Sequence, residues 1–165
     1  MAKVGKILAL IGAILTIIGT FFFSLFQAVP GEYIYGAGGM FNIDEWFVYA
    51  VSVNPGAWVY WIVSPVLILY LVSGFIQLIG LKSKATSIIG AILPLAVAIF
   101  MILAVLDFVV PYTIIYLASL SAEPIIPNVL PITFEYGFMN FGFGFIMVGL
   151  GGLLSLVSGF ISREN

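Results

Sequence analysis

Residues 85–106 read ATSIIGAILPLAVAIFMILAVL and contain no charged side chain. A helix of about 20 apolar residues is long enough to cross the hydrocarbon core of a membrane. Further uncharged runs occupy residues 7–31, 46–81 and 136–162. Backbone polar groups in lipid must pair within the chain, and these runs lack the polar–apolar alternation of barrel strands. The pattern therefore predicts an all-α integral membrane protein, built as a bundle of four transmembrane helices.

The whole chain, residues 1–165, is expected to form a single membrane domain. We place the spans at about Ile7–Ala28, Ala57–Ile79, Ser87–Val110 and Phe138–Ile161. Hydrophobic residues make up 63% of the chain and charged residues only 7%, whereas a soluble domain carries roughly 25% charged residues. So few charges cannot cover a surface that faces water.

The basic residues predict the orientation of the spans. All five fall on one side of a four-span arrangement: Lys3, Lys6, Lys82, Lys84 and Arg163. Cytoplasmic loops carry an excess of Lys and Arg. We therefore expect a protein of the cell membrane with both termini and the short central link in the cytoplasm. All but two of the acidic residues, Asp107 and Glu164, fall on the other side.

Two segments, near residues 29–56 and 111–137, are expected outside the cell. Each is ~25 residues, longer than the usual connection of about 4–6 residues. Trp46–Val53, which is rich in aromatic and β-branched residues, can form a short strand or lie in the membrane interface. The candidate contacts with a partner are Asp44, Glu45, Trp46 and Glu135, and the alternative is that these are solvated loop residues.

Several kinds of chemistry are excluded by composition. The chain contains no Cys and no His, so disulfides, Cys/His zinc sites, His- or Cys-ligated haem and Ser-His-Asp catalysis cannot be built. We expect no cofactor and no metal, and no catalytic motif points to an enzyme. Five basic residues are too few for binding nucleic acid.

Few polar groups lie within the apolar runs. Asp107, near the outer end of span 3, is a candidate proton- or cation-binding group at an outer mouth, or else an interfacial carboxylate. Gln27, Gln77 and Asn140 are placed near helix ends, where water can reach them. A polar centre buried in the bundle is therefore not expected.

Small residues predict where the helices approach each other closely. The candidate helix-packing face of span 4 consists of Gly144, Gly151, Gly152, Ser155 and Gly159. It can pack within the bundle or against another subunit. Span 2 shows no such stripe. The alternating run Phe141–Phe145 can form a flat site for a quinone or lipid tail, or pack against the outer segments.

Two short matches indicate an internal repeat, in which residues 1–82 and 83–165 form parallel-repeated helical hairpins. Ile11–Leu15 (IGAIL) recurs as Ile89–Leu93, and Leu71–Ile76 (LVSGFI) recurs as Leu156–Ile161. Both matches relate spans 1 and 2 to spans 3 and 4, although their offsets along the chain differ slightly. The alternative is convergence within a narrow set of apolar residues.

Cytoplasmic termini and two outer segments resemble the topology of claudin-like and tetraspanin-like proteins. The Cys motifs of both families are absent, so the resemblance assigns no family. The low-charge outer segments also resemble those of archaeal membrane proteins. The leading hypothesis is a non-enzymatic accessory subunit of a membrane complex, whose partners are lipids and other membrane subunits or copies of itself. The alternatives are a homo-oligomeric channel or small transporter, and a quinone- or lipid-pocket subunit of a redox complex.

Overall fold

Four helices and one β-hairpin make up the computed structural model, which describes residues 2–29, 32–38, 57–105, 126, 129–133 and 141–161. In chain order the elements are α1 (Ala2–Phe21), β1 (Ser24–Val29), β2 (Glu32–Tyr35), α2 (Ala57–Ile79), α3 (Lys84–Val105) and α4 (Phe143–Phe160). Each of these four helices lies mostly within one of the uncharged runs, so the prediction of a mostly helical chain is confirmed.

Three of the helices are long and apolar enough to cross a membrane, over Lys3–Phe21, Lys84–Leu103 and Phe143–Phe160. Within α2, the apolar stretch whose side chains are described, Pro65–Ile79, is shorter than these spans. The chain therefore has the helices of a membrane protein.

Small residues line the inside of the bundle and large apolar residues cover the outside. The buried set includes Ala9, Ala13, Ala91, Ala98 and the hydroxyl residues Thr16, Thr20, Ser73, Ser87, Ser155 and Ser158. The exposed set includes Ile7, Ile11, Ile14, Ile68, Val72, Phe75, Ile89, Ile92, Ile99, Leu150, Leu153 and Val157. A water-soluble bundle shows the opposite distribution. Lipid tails are as apolar as Leu, so branched side chains can face them while small residues let the helices approach.

The four helices form a ring in which each helix packs against two neighbours, in the order α1, α2, α3, α4. Neighbours run antiparallel. In α1, for example, Gly12 lies against Ser155 of α4, and Gly19 lies against Gly144. The beginning of α1, the link at 80–83 and the end of α4 therefore share one end of the bundle, which we call the link end. The β-hairpin lies at the other end, the hairpin end.

The prediction that span 1 continues to Ala28 is wrong. Helix α1 ends at Phe21, and the chain turns into β1, which pairs antiparallel with β2. The backbone groups here find partners outside any helix: Ile132 N–H donates to Phe22 O (2.7 Å) and Gly142 N–H donates to Leu25 O (2.9 Å). Apolar composition alone predicts helix, because it contains no signal for these pairings.

The hairpin closes its end of the bundle. Leu25, Tyr35 and Ala37 are buried in one cluster with Tyr70 of α2 and Val148 of α4. Ala37 N–H donates to Thr20 O (3.1 Å), which continues the contact into α1. The chain after α1 therefore folds back into the hairpin end of the bundle.

The other predicted bounds match the helices or differ from them by a few residues. Span 2 matches α2 at both ends, while α3 begins at Lys84 and α4 at Phe143. The later start of α4 follows from Gly142, whose backbone is extended and pairs with β1. Three predictions lie outside the described residues: the strand or interfacial segment at Trp46–Val53, the end of span 3 at Val110, and the beginning of span 4 at Phe138.

Candidate functional site: a buried polar centre

A single amide side chain, Gln77 of α2, lies fully buried where all four helices meet. Thr16 Oγ1 of α1 donates to Gln77 Oε1 (3.0 Å), and Ser155 Oγ of α4 donates to the same oxygen (2.9 Å). Gln77 Nε2 donates to Gly90 O of α3 (2.9 Å). We call Gln77, Thr16, Ser155 and Gly90 the polar centre. The expectation that Gln77 is solvated at a helix end is wrong.

The neighbours of Gln77 define the orientation of its amide. A backbone carbonyl only accepts hydrogen bonds, so the atom facing Gly90 O must be the amide nitrogen. The amide oxygen then faces Thr16 and Ser155, whose hydroxyls can both donate. One side chain therefore links α2 to each of the other three helices.

Gly90 makes the close contact between α2 and α3 possible. A Cβ atom at this position would lie 2.8 Å from Gln77 N and 3.1 Å from Ser73 O. Any side chain would push the two backbones apart, and Gly90 O would move away from the amide. The hydrogen bond from Gln77 to Gly90 O therefore requires glycine at position 90.

Two serines extend the polar centre toward the link end. Ser87 Oγ of α3 and Ser158 Oγ of α4 lie 2.6 Å apart, and both are within hydrogen-bond distance of Ser155 O. The two hydroxyls have two protons between them for these three contacts. Whether Ser87 donates to Ser155 O or to Ser158 Oγ, its hydrogen bond joins α3 to α4.

A second pair of polar groups lies toward the hairpin end. Thr20 Oγ1 of α1 donates to Tyr70 OH of α2 (3.0 Å), and Ser73 Oγ donates to Tyr70 O (2.5 Å). Gly36 lies against both Thr20 and Tyr70, where a Cβ atom would be 2.8 Å from the methyl carbon of Thr20. Buried polar groups thus occur along most of the bundle axis.

The chemistry of these groups is that of neutral donors and acceptors. An amide and hydroxyls do not titrate near neutral pH, so the polar centre cannot act as a general acid or base. The described part of the chain contains no cluster of three or more His, Cys, Asp or Glu. In a membrane, such groups hydrogen-bond across helices and hold them together.

The predicted packing face of span 4 lies entirely inside the bundle. Gly151 and Gly144 face α1, where added Cβ atoms would lie 2.6 Å from Gly12 O and 2.8 Å from Gly19 O. Gly152 and Gly159 face α3, against Leu95 and Ile88. Ser155 lies between them in the polar centre. Helix α4 uses its glycines on two neighbours within the chain.

The aromatic run at the beginning of α4 packs against the hairpin. Phe141 stacks on Phe145 with ring centroids 4.2 Å apart, and Phe26 of β1 meets Phe141 edge-on. Phe23 lies against Phe143. Of the two alternatives for this run, the structure shows packing against the segment that follows α1.

Asp107, Asp44, Glu45, Trp46 and Glu135 all lie outside the described residues.

Sequence reasoning missed Gln77, although a signal was present. Tyr70, Ser73, Gln77 and Gly80 recur at spacings of three and four, which puts polar or small residues on one face of α2. The same spacing puts Thr16 on the small-residue face of α1 and Ser155 on that of α4. A polar side chain on such a face is a candidate for interhelical hydrogen bonding.

No protein-family model, curated protein or solved structure matches the chain.

Proposed function

We propose that this chain is a non-enzymatic accessory subunit of the cell membrane, which binds partner membrane proteins at its hairpin end. The observation that carries the proposal is an apolar surface beside the hairpin: Ile126, Val129 and Ile132 are exposed outside the helices. Exposed apolar patches mark sites of contact with other proteins or with the membrane, and these three residues lie outside the membrane-spanning helices. The bundle itself supplies the rigid support that such a surface needs.

The interior supports a structural function over a transport function. The amide of Gln77 is hydrogen-bonded to groups of the three other helices. Helices α1 and α3 pack against the glycines of α4. Because these faces are used within the chain, we propose that partners bind through the hairpin end and the lipid-facing residues. This differs from docking through the small-residue face of α4.

The first test is the composition of the complex extracted from the native membrane in mild detergent. We expect partner chains to co-purify with the wild type and to be reduced several-fold with Val129→Ser. The matched control is Val4→Ser, an exposed valine at the link end, which should retain the partners. A wild-type protein that purifies alone as a monomer would contradict the proposal.

We further propose that α2 is the fourth membrane span, with both termini in the cytoplasm. The supporting residues are Lys3, Lys6, Lys82 and Lys84, all at the link end, together with the excess of basic residues typical of cytoplasmic loops. Residues on the link at 80–83 should then face the cytoplasm, and Ile126–Ile132 should face outward.

Labelling of single cysteines tests this topology without background, because the chain has none of its own. A membrane-impermeant maleimide should label Glu32→Cys, which lies in β2 on the other side of α2 from residue 83, in intact cells. It should label Ser83→Cys only after permeabilisation. The opposite pattern would reverse the orientation, and labelling of both sites in intact cells would rule out α2 as a span.

We also propose that residues 1–82 and 83–165 are related helical hairpins, each with one pair of antiparallel helices. The support is a set of equivalent contacts that share one offset along the chain, the offset that relates Gly12 to Gly90. Gly12 lies against Gly151 and Ser155, and Gly90 lies against Ser73 and Gln77. The IGAIL match has this same offset, whereas the LVSGFI match is displaced from it along the helix.

A further inference from the structure

We infer that Gln77 and Ser155 are equivalent positions in the two halves of the bundle. Either half can then supply the central amide that positions the helices. The inference rests on the proposed relation between the two halves, and it concerns positioning residues within the bundle. A glutamine at position 155 would therefore be able to replace the amide of Gln77.

The first support comes from the contacts between the two halves. A Cβ atom at Gly12 would lie 2.7 Å from Gly151 O and 2.9 Å from Ser155 N. A Cβ atom at Gly90 would lie 3.1 Å from Ser73 O and 2.8 Å from Gln77 N. Both sets use the same backbone atoms at positions related by the Gly12–Gly90 offset, which makes Gln77 the counterpart of Ser155.

The second support comes from the contacts within each half. A Cβ atom at Gly74 would lie 3.3 Å from Ile17 N, and one at Gly152 would lie 3.3 Å from Leu95 N. The two pairs are again related by the Gly12–Gly90 offset, on the opposite side of the same helices. All four interfaces of the ring therefore follow one correspondence.

The Gln77–Ser155 hydrogen bond joins two equivalent positions of the two halves directly. Two equivalent positions can touch each other only close to the axis that relates them. The 2.9 Å bond from Ser155 Oγ to Gln77 Oε1 therefore marks a pseudo-twofold axis along the bundle. An amide reaching this axis from either side meets the other position.

The surroundings of the two positions are similar but not identical. The counterpart of Gly90 is Gly12, whose carbonyl oxygen faces α4 next to Gly151. An amide at position 155 would thus have a carbonyl to which it can donate. The counterpart of Thr16 is Pro94, which has no donor. The transposed centre should therefore regain two of the three hydrogen bonds.

The test transposes the pair in the full-length protein. Three variants are compared with wild type by the midpoint of thermal unfolding in detergent, followed by the fluorescence of the native tryptophans. They are Gln77→Ser, Gln77→Ser with Ser155→Gln, and Gln77→Ser with Ser158→Gln. Ser158 is a matched control, since it is also buried in α4 but is the counterpart of Gly80.

Gln77→Ser should lower the midpoint, and Ser155→Gln should restore at least half of the loss. Ser158→Gln should restore none. Equal midpoints for the two double variants would overturn the inference. So would failure to recover the transposed variant as a folded protein while the control variant folds. Co-purification of partners and cysteine labelling do not depend on this result, so those proposals stand or fall separately.

Discussion

A single methyl group at Gly151 is expected to separate α1 from α4. The added Cβ atom would lie 2.6 Å from Gly12 O and 2.8 Å from Thr16 N, and both are backbone atoms. A flexible side chain could rotate away, but here one whole helix must move. Overpacking of this kind costs about 1–3 kcal/mol. We expect Gly151→Ala to lower the thermal midpoint in detergent and the yield of folded protein.

Gly149→Ala is the matched control for this prediction. It adds the same methyl group to the same helix, but among the residues that the structure describes its Cβ atom would meet only the Cβ atom of Ala98, at 3.5 Å. That is an ordinary contact, and Ala favours helix over Gly by ~1 kcal/mol. Gly149→Ala should therefore match or exceed the wild-type midpoint. A similar loss for both variants would show that the loss does not come from the α1–α4 contact, and an unchanged midpoint for Gly151→Ala would show that this contact is looser than the geometry indicates.

The apolar runs were sufficient to predict the helices because a membrane helix satisfies its own backbone. Nothing beyond the run itself is needed to make the hydrogen bonds of Ala57–Ile79. The glycine face of α4 was predictable for a related reason, since spacing alone places Gly144, Gly151 and Ser155 on one side of a helix. Which neighbour fills that face depends on the ring order, and spacing does not contain that information.

The hairpin could not be predicted from composition. Ser24–Val29 is apolar enough to continue α1, and its conformation depends on bonds to Ile132 and Gly142, which lie in the last third of the chain. Gln77 was missed for a different reason. Its position near the helix end suggested water, but the link at 80–83 turns back at once and α3 covers it.

Gln77→Leu should destabilise the bundle by about 2 kcal/mol, because it removes three hydrogen bonds that in membranes average roughly 0.6 kcal/mol each. The substitution keeps the approximate volume of the side chain. Thr16 and Ser155 can bond to their own helices instead, which limits the loss. The measurement is the free energy of unfolding in mixed detergent micelles. A variant as stable as wild type would show that the polar centre fills space without joining the helices.

Gln77→Glu should convert the polar centre into a pH-dependent one. The protonated acid has the shape and bonding pattern of the amide: its O–H can donate to Gly90 O, and its other oxygen can accept from Thr16 and Ser155. The carboxylate has no proton for Gly90 O and is costly to bury among four helices. Folding therefore favours the protonated form, so stability should be nearly that of wild type at acid pH and fall as pH rises.

The control for this experiment is Gln77→Leu, because Leu does not titrate. The stability that Gln77→Leu loses relative to wild type should be the same at every pH. Glutamine at this position should likewise add no pH dependence. The Glu variant should cross from the wild-type value at acid pH to a value below that of the Leu variant at alkaline pH, since a buried carboxylate is worse than an apolar side chain. Parallel pH profiles for Glu and Leu would mean that water reaches position 77, in which case this end of the bundle is open.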